Sequence, residues 1–332
     1  METAPRVLLT GATGFVGRHL WPELERAGYE VAGLTRDRAR AEQKWPGRKW
    51  FEGDVCDEAA LSRALDGCRF AYYLVHGMAE GHGDFRAREV ESAHRFSTAV
   101  ERAGVERVVY LGGMAPSGEV SEHLASRLEV GEALRQGAHS TVELRSSMII
   151  GDGSLSWLMV RDLAARLPFM LLPRWLKSRT EPVAIEDVMV ALVRALTVDL
   201  GEPTRRSDWF DIPGPQILSG REILEQTAEA MGLRHPLVIE VPVLSPWLSS
   251  HWVRFVTRAE WAVAREVVVG LKDDMLSHDD RFWHLIDHPQ RLPFGVAARR
   301  ALAAERLAGP IPGFWGGVEG WVAQRFRSRA AV

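Results

Sequence analysis

Along the first 150 residues, short runs that are almost wholly apolar alternate with segments whose apolar residues recur every three or four positions. The runs are RVLLTG (6–11), YEVAGLT (29–35), FAYYLV (70–75), ERVVYLGG (106–113) and STVELRSSMIIG (140–151), each of strand length. The helical segments are FVGRHLWPELERAG (15–28), DEAALSRALDG (57–67), DFRAREVESAHRFSTAVERAG (84–104) and SEHLASRLEV (121–130). Asp57 is placed to cap the second of these, and the third carries Val90, Ala93, Phe96 and Val100 on one stripe. A strand that is apolar on both faces is buried on both, as in a parallel sheet covered by helices on each side. The pattern predicts an α/β protein whose first 150 residues build a doubly wound parallel sheet.

Beyond Gly151 the texture changes. SLSWLMVRDLAARLPFMLLPRWL (154–176) is apolar and rich in Trp, Met and Leu. PVAIEDVMVALVRAL (182–196) reads as a short strand returning to the sheet and then a helix. SGREILEQTAEAMG (219–232) opens on a capping box, Ser219 with Glu222, and LPFGVAARRALAAERL (292–307) is a last amphipathic helix. Residues 151–332 are therefore expected to form a smaller, mostly helical, substrate-binding part, with segments near 182–214 returning to the first domain. A hydrophobic content of 46% supplies a core of that size, and a net charge of −3 argues against nucleic-acid binding. Two cysteines, Cys56 and Cys68, make no disulfide framework. No stretch approaches eighteen uncharged apolar residues, so no integral membrane segment is expected, and METAPRVLLTG has no basic region followed by a long apolar run. These features point to the cytoplasm.

The most informative stretch is LLTGATGFVGRHL, which joins the first strand to the first helix. Gly11 permits a tight turn, Gly14 lets backbone approach a pyrophosphate, and Gly17 lets helix and strand pack closely, with the helix N-terminus facing the negative charge. In this Rossmann arrangement Thr10, Gly11, Thr13, Gly14, Phe15, Val16 and Gly17 would line a dinucleotide. Binders of NAD(H) carry an acid at the end of the second strand to hold the ribose 2′-hydroxyl. Here that place holds Thr35 and Arg36, and Asp37 follows only after the arginine. Arg36 suits a 2′-phosphate, with Arg38 beside it, so NADP(H) is expected rather than NAD(H).

TGATGFVG resembles the TGxxGxxG loop of the atypical and extended short-chain dehydrogenase/reductase superfamily. The branch it resembles is the NAD(P)H-binding one, whose members are epimerase/dehydratase-like or related to redox-sensor regulators and to a respiratory complex I accessory subunit. GDVCD, LVHGM, ELRSSMIIG, PVAIEDV and FDIPGPQILSGREIL are similar to later pieces of the same pattern, so the resemblance spans roughly residues 6 to 235. It implies that Asp54 and Val55 hold the adenine and that Leu74, Val75 and His76, after the fourth strand, line the cofactor, as do Gly112 and Arg127. It also implies catalysis by the tyrosine and lysine of a YxxxK helix, helped by a serine at the end of the fifth strand. This chain departs from that pattern: His123 and Arg127 occupy the YxxxK positions, and Gly112 and Gly113 stand where the serine would be.

A histidine with a pKa near 6.5 is a usable proton donor, and a permanently charged Arg127 one turn away would depress that pKa while anchoring ribose hydroxyls. Tyr72, Tyr73 and His76 close the fourth strand and are further candidate donors, although strand alternation sends one of the two tyrosines to the core; Tyr73 is carried with His123 and Arg127 as a catalytic candidate. Ser117 is a candidate for the lost serine. On the substrate side Trp157, Trp175, Trp247, Trp252 and Trp261, with Met148, Met159, Phe169 and Met170, suggest an apolar cleft for a small hydrophobic substrate. Arg161, Arg174, Lys177 and Arg179 are candidates to hold an anionic group. HDDRFWHLIDH (278–288) fits no metal-ligand spacing, so no metal is expected, and the Trp- and Arg-bearing tail FWGGVEGWVAQRFRSR has too short an apolar face for membrane contact to be expected. Two readings follow. In the first the chain is an NADP(H)-dependent oxidoreductase reducing a small hydrophobic carbonyl or enone. In the second it is a non-catalytic NADP(H)-binding redox sensor or assembly protein. The polar pair at the YxxxK positions favours the first, the missing serine the second, and the first is preferred. Oligomeric state is not legible.

Overall fold

The structure, a computed structural model, describes residues 4–75, 85–118, 120–166, 169–173, 177–201, 206–235, 237–241, 273–307 and 314–326. The first half alternates as its pattern predicts: β1 (Arg6–Leu9), α1 (Phe15–Arg26), β2 (Glu30–Thr35), α2 (Arg38–Lys44), β3 (Lys49–Glu52), α3 (Glu58–Leu65), β4 (Cys68–Tyr73), α4 (Phe85–Arg102), β5 (Arg107–Gly113), α5 (Glu122–Arg135) and β6 (Ser140–Ser146). There follow β7 (Ile149–Ile150), α6 (Leu155–Arg166), β8 (Phe169–Pro173), β9 (Arg179–Thr180), β10 (Val183–Ala184), α7 (Ile185–Ala195), β11 (Asp208–Asp211), β12 (Leu218–Ser219), α8 (Gly220–Ala230), β13 (Leu237–Val241), α9 (Arg281–Leu285), α10 (Phe294–Leu307) and α11 (Phe314–Phe326). Seven strands in the order β11-β6-β5-β4-β1-β2-β3 form one parallel sheet, the doubly wound Rossmann arrangement.

Strand alternation divides the interior into two cores. Leu9, Tyr72 and Val109 face α1 and α7, while Leu8, Tyr73 and Tyr110 face α3, α4 and α5. Both tyrosines of β4 are therefore core residues, where the sequence pattern gave only one of them to the core. Tyr72 is wholly buried and donates its hydroxyl to the Leu192 carbonyl at 2.9 Å. Tyr73, 1% exposed, packs between Phe96 and Tyr110.

The return to the sheet also differs from expectation. β10 pairs not with the main sheet but with β7, just past the end of β6, and the strand that joins the seven-stranded sheet is β11. A third core, built from Trp157, Ile223, Phe294 and Ala298, joins α6, α8 and α10. Trp157 is fully buried and bonds Glu305, and Met159 is buried with it, so these two line no cleft. Trp175, Trp247, Trp252, Trp261, Arg174 and the side chains of Phe169 and Met170 lie outside the described residues. Arg161 is not available to an anionic ligand either. It is locked in a buried ion cluster with Asp162, Glu305 and Glu319, which ties α6 to α10 and α11. Arg179 is bound to Asp274. The histidines of HDDRFWHLIDH anchor their loop to the domain: His278 bonds Asp211 and His288 bonds Asp187. Among the described residues no helix is long and apolar enough to cross a membrane.

One buried charge group fixes the position of α5. Glu143, at the middle of β6, is 0% exposed and sits between Arg145 at 2.7 Å and Arg135 of α5 at 3.1 Å. Burial pushes its carboxyl pKa up, against the pull of the two guanidinium groups. Helix α5 passes so near that a Cβ on Gly131 would lie 2.5 Å from the Glu143 carboxylate. Gly131→Ala thus sets two effects against each other. Alanine is the better helix former by about 1 kcal/mol, while overpacking costs about 1–3 kcal/mol. Held on both sides, the carboxylate cannot yield cheaply, so packing wins: urea denaturation should show Gly131→Ala to be less stable than wild type. Equal or greater stability would mean that α5 does not press on Glu143.

Candidate active site at the glycine loop

The loop after β1 is built by close approach. Thr10 is buried, donates its hydroxyl to the Tyr72 carbonyl at 2.8 Å, and accepts the Leu74 amide at 3.2 Å, clamping the ends of β1 and β4 together. Gly11 turns at φ +66°, and a Cβ there would drive into the Leu74 carbonyl. At Gly17 a Cβ would stand 2.7 Å from the Ala12 Cα, so the helix lies against its own entry loop. Gly14 differs: its Cβ would meet only the Gly11 carbonyl, at 3.2 Å, and its outer side is open. The three glycines thus divide into a tight turn at Gly11, open space at Gly14 and close packing at Gly17. Thr13 is exposed beside Gly14, Val16 is half-buried on the first core, and the Phe15 ring turns inward against His19, leaving its backbone amide to the loop.

The N-terminus of α1 is electrically bare. Its N-cap is Gly14, with no side-chain cap and no acidic residue in the first turn. By contrast α2, α3, α5 and α8 are capped by the side chains of Asp37, Asp57, Ser121 and Ser219. Orphan amides at the positive end of a helix form an anion site, and the open side of Gly14 gives a pyrophosphate room to reach them. The residues present therefore fit a dinucleotide.

Around this loop the strand ends supply the remaining candidates. Thr35 is half-buried at the end of β2 and its hydroxyl meets the Asp37 backbone. Asp37 spends its carboxylate on the Arg40 amide as the cap of α2, so the nearest acid faces its own helix. Arg36 is exposed with no ion pair among the described residues, whereas Arg38 pairs with Glu42. After β3, Asp54 accepts the Cys56 amide and Val55 is buried beside Leu34. Leu74 and Val75 follow the end of β4, and His76 lies outside the described residues.

At the end of β5 the two glycines that stand in place of the serine are closely packed. A Cβ on Gly113 would lie 2.7 Å from Leu124 of α5, and one on Gly112 would be crowded by Tyr110 at 3.1 Å and Glu143 at 3.3 Å. Ser117 does not replace it, because its amide and hydroxyl are both pinned to the Asp274 carbonyl. His123 and Arg127 share one face of α5 as their spacing requires. His123 stacks on Phe85 of α4 with ring centroids 6.1 Å apart, a neighbour not evident from the sequence. The Tyr110 hydroxyl donates to the Arg127 carbonyl at 3.0 Å, and the Arg127 Nε is buried with no acceptor. Burial, then the Arg127 charge, pushes the His123 pKa down to about 4, so the imidazole is neutral at ordinary pH. The candidate donor Tyr73 has no part in this site. Buried in the second core, its hydroxyl is held far above its usual pKa by desolvation.

The depressed His123 pKa has a thermodynamic consequence. Between the unfolded value near 6.5 and the folded value of about 4, the unfolded chain binds the extra proton. The stability associated with neutral His123 is therefore fully present above pH 6.5 and is lost as pH falls toward 4. Urea titrations of wild type and His123→Phe from pH 7.5 to pH 4.5 should show the wild type losing more stability on acidification. Parallel curves would place His123 in a solvated setting.

Comparison with known proteins agrees with this geometry. Residues 11–163 match the family model described as NAD(P)H-binding. The chain is 28% identical over 253 residues to the ceramide reductase of Caulobacter vibrioides, covering 71% of this chain and 73% of that one. It is also 28% identical over 236 residues to a (4-alkanoyl-5-oxo-2,5-dihydrofuran-3-yl)methyl phosphate reductase of Streptomyces griseus, covering 68% and 74%. Among solved structures, the triphenylmethane reductase of Citrobacter sp. complexed with NADP(H) superposes with a TM-score of 0.68 at 16% identity, covering 89% of this chain and 99% of that one. With the doubly wound sheet and the glycine loop, these matches make residues 11–163 similar to NAD(P)H-binding domains, and the solved structures share the fold.

Proposed function

We propose that this protein is an NADP(H)-dependent oxidoreductase that reduces a small hydrophobic carbonyl or enone compound. The observation that carries the reading is the bare N-terminus of α1 behind an open Gly14, which leaves room and free amides for a pyrophosphate. The reduced nicotinamide supplies hydride once the dinucleotide is bound. The chain's own groups set its place: the loop amides take the pyrophosphate, Asp54 and Val55 the adenine side, and Leu74, Val75 and Gly112 the path across the strand ends. His123 and Arg127 stand at the end of β5, where the substrate oxygen is held. The reductase names of two relatives, each covering about two thirds or more of this chain, support reduction. Residues 1–150 are assigned the nucleotide, with segments near 182–214 returning to them through β11, and residues 151–332 the substrate. Two free thiols, Cys56 and Cys68, suit the cytoplasm. The sensor reading draws on the absence of a hydroxyl at Gly112 and Gly113. The Arg127 guanidinium, whose Nε is buried without an acceptor and which makes no ion pair among the described residues, favours the enzyme.

The choice of NADP(H) rests on Arg36, without an ion pair among the described residues, and on Asp37, which is committed to its helix. A charge-assisted bond to a 2′-phosphate contributes about 1.5–3 kcal/mol. Fluorescence titration should show Arg36→Ala weakening NADPH by about tenfold or more while NADH changes little. Equal losses for the two cofactors would refute the assignment.

Gly14 lies in the extended region, where valine is at ease, and its Cβ meets one carbonyl only. Gly14→Val should therefore keep the wild-type melting temperature within a few degrees and lose dinucleotide binding. Binding at wild-type affinity would show that the pyrophosphate lies elsewhere.

A further inference from the structure

The groups at the end of β5 do not reproduce a tyrosine–lysine pair with different letters. A tyrosine donor works because the lysine beside it lowers its pKa and lets it give up a proton. Here the two members have the opposite relation. Arg127 is a permanent cation, and it helps keep its neighbour uncharged. Its Nε is buried without an acceptor, and no carboxylate forms an ion pair with it among the described residues. Its Cδ and Nη1 lie 3.7 Å from where a Cβ on Gly113 would stand, so the guanidinium lies over the end of β5. Its backbone is fixed by the Tyr110 hydroxyl.

The charges around the pair leave that cation unspent. On α5 itself the group acting on His123 is Arg127. From α4, Phe85 stacks on His123 and Glu89 acts on Arg127 through space. From β5, Tyr110 acts on Arg127. From β6, the carboxylate of Glu143 is held by Arg145 and Arg135 and is not given to Arg127. A cation whose donor is buried, with no bonded anion among the described residues, is costly unless a ligand or transition state completes it.

We propose that Arg127 stabilises the oxyanion that develops on the substrate, that His123 acts as a neutral hydrogen-bond donor to the same oxygen, and that solvent water rather than an imidazolium supplies the proton. This rests on the reductase reading and assigns its division of labour. The carbonyl carbon of a ketone, or the β-carbon of an enone, accepts hydride from the reduced nicotinamide. The π pair moves onto oxygen, next to the guanidinium and the imidazole N–H. The oxyanion, as alkoxide or enolate, then takes a proton from water, leaving hydroxide for bulk buffer to neutralise. The substrate is reduced and the dinucleotide oxidised, with no further reactant. The neutral imidazole fits this role. With its pKa at about 4, on the order of one molecule in a thousand would carry the imidazolium at pH 7.

The test has two arms. In the first, the His123 imidazole is titrated by nuclear magnetic resonance in wild-type protein without substrate. The resonance is expected to stay at its neutral position from pH 8 down to about pH 5. A midpoint near 6.5 would overturn the proposal. In the second, kcat and KM are measured with NADPH and a panel of hydrophobic ketones and enones between pH 5.5 and pH 8.5. Wild-type kcat should not fall as pH rises through 6.5. Arg127→Met should lose about 10²–10³-fold in kcat, as expected when an oxyanion donor is removed, with KM changing far less. His123→Gln, still a neutral donor, should remain within about tenfold of wild type, and His123→Phe should fall well below it. If Arg127→Met does not fold, Arg127→Lys serves. It keeps the charge, loses the planar fork, and should fall between wild type and the Met value. A kcat that declines above pH 6.5, with His123→Gln as slow as His123→Phe, makes the imidazolium the acid and sinks this proposal alone. If wild type binds NADPH and reduces nothing in the panel, the reductase reading itself fails and takes the proposal with it.

Discussion

The site depends on how closely two pieces of backbone pass at the end of β1. Gly11 crosses the Leu74 carbonyl with no room for a side chain, and the Thr10 hydroxyl holds the two strands at that separation through the Tyr72 carbonyl and the Leu74 amide. This crossing sends the chain abruptly into α1, with Gly17 against Ala12. The helix is left with its first-turn amides pointing outward, without the side-chain cap that several other helices of the domain carry. The same clamp sets the end of β4, and with it the line of strand ends across which a dinucleotide must lie. Tyr72 and Tyr73 are buried on opposite sides of β4 as a result of ordinary strand alternation, which removes both from the chemistry.

A second buried contact determines what faces the cofactor. Glu143 draws α5 onto the sheet through Arg135 and leaves space only for glycine at position 131. Farther along the same helix, Leu124 fills the space at Gly113 that a serine would need, and Arg127 lies over the strand end. The close packing at Gly113 and the position of the guanidinium both follow from the way α5 lies on the end of β5. Phe85 closes the His123 side, and desolvation then keeps the imidazole neutral.

Much of this was legible in the sequence because it depends on local pattern. The apolar runs and the 3.6-residue periodicity locate the strands and helices of the first half, and the glycine spacing locates the loop. Asp57 and the Ser219–Glu222 pair announce helix starts that the structure contains. The position of His123 and Arg127 on one face follows from their spacing alone. What the sequence concealed depends on contacts distant along the chain. That Asp37 caps α2 rather than facing a ribose, that Arg161 belongs to an ion cluster with Glu305 and Glu319, and that Trp157 is core rather than cleft are all settled by partners far from each residue or by local geometry that composition does not encode. The return to the sheet was placed too early, because β10 has strand composition but meets β7 first. One signal was available: Glu143 and Arg145 fall two apart in a central strand, which puts both charges on one buried face.

The most direct measurement is a crystal structure of the protein with NADP⁺ and a bound alcohol or enolate analogue. The account predicts the pyrophosphate on the backbone amides at Gly14–Val16, the 2′-phosphate against Arg36, and the nicotinamide across Gly112. The analogue's oxygen should lie about 3 Å from both the Arg127 guanidinium and the His123 ring. A dinucleotide bound away from the loop, or an analogue whose oxygen meets neither side chain, would contradict it.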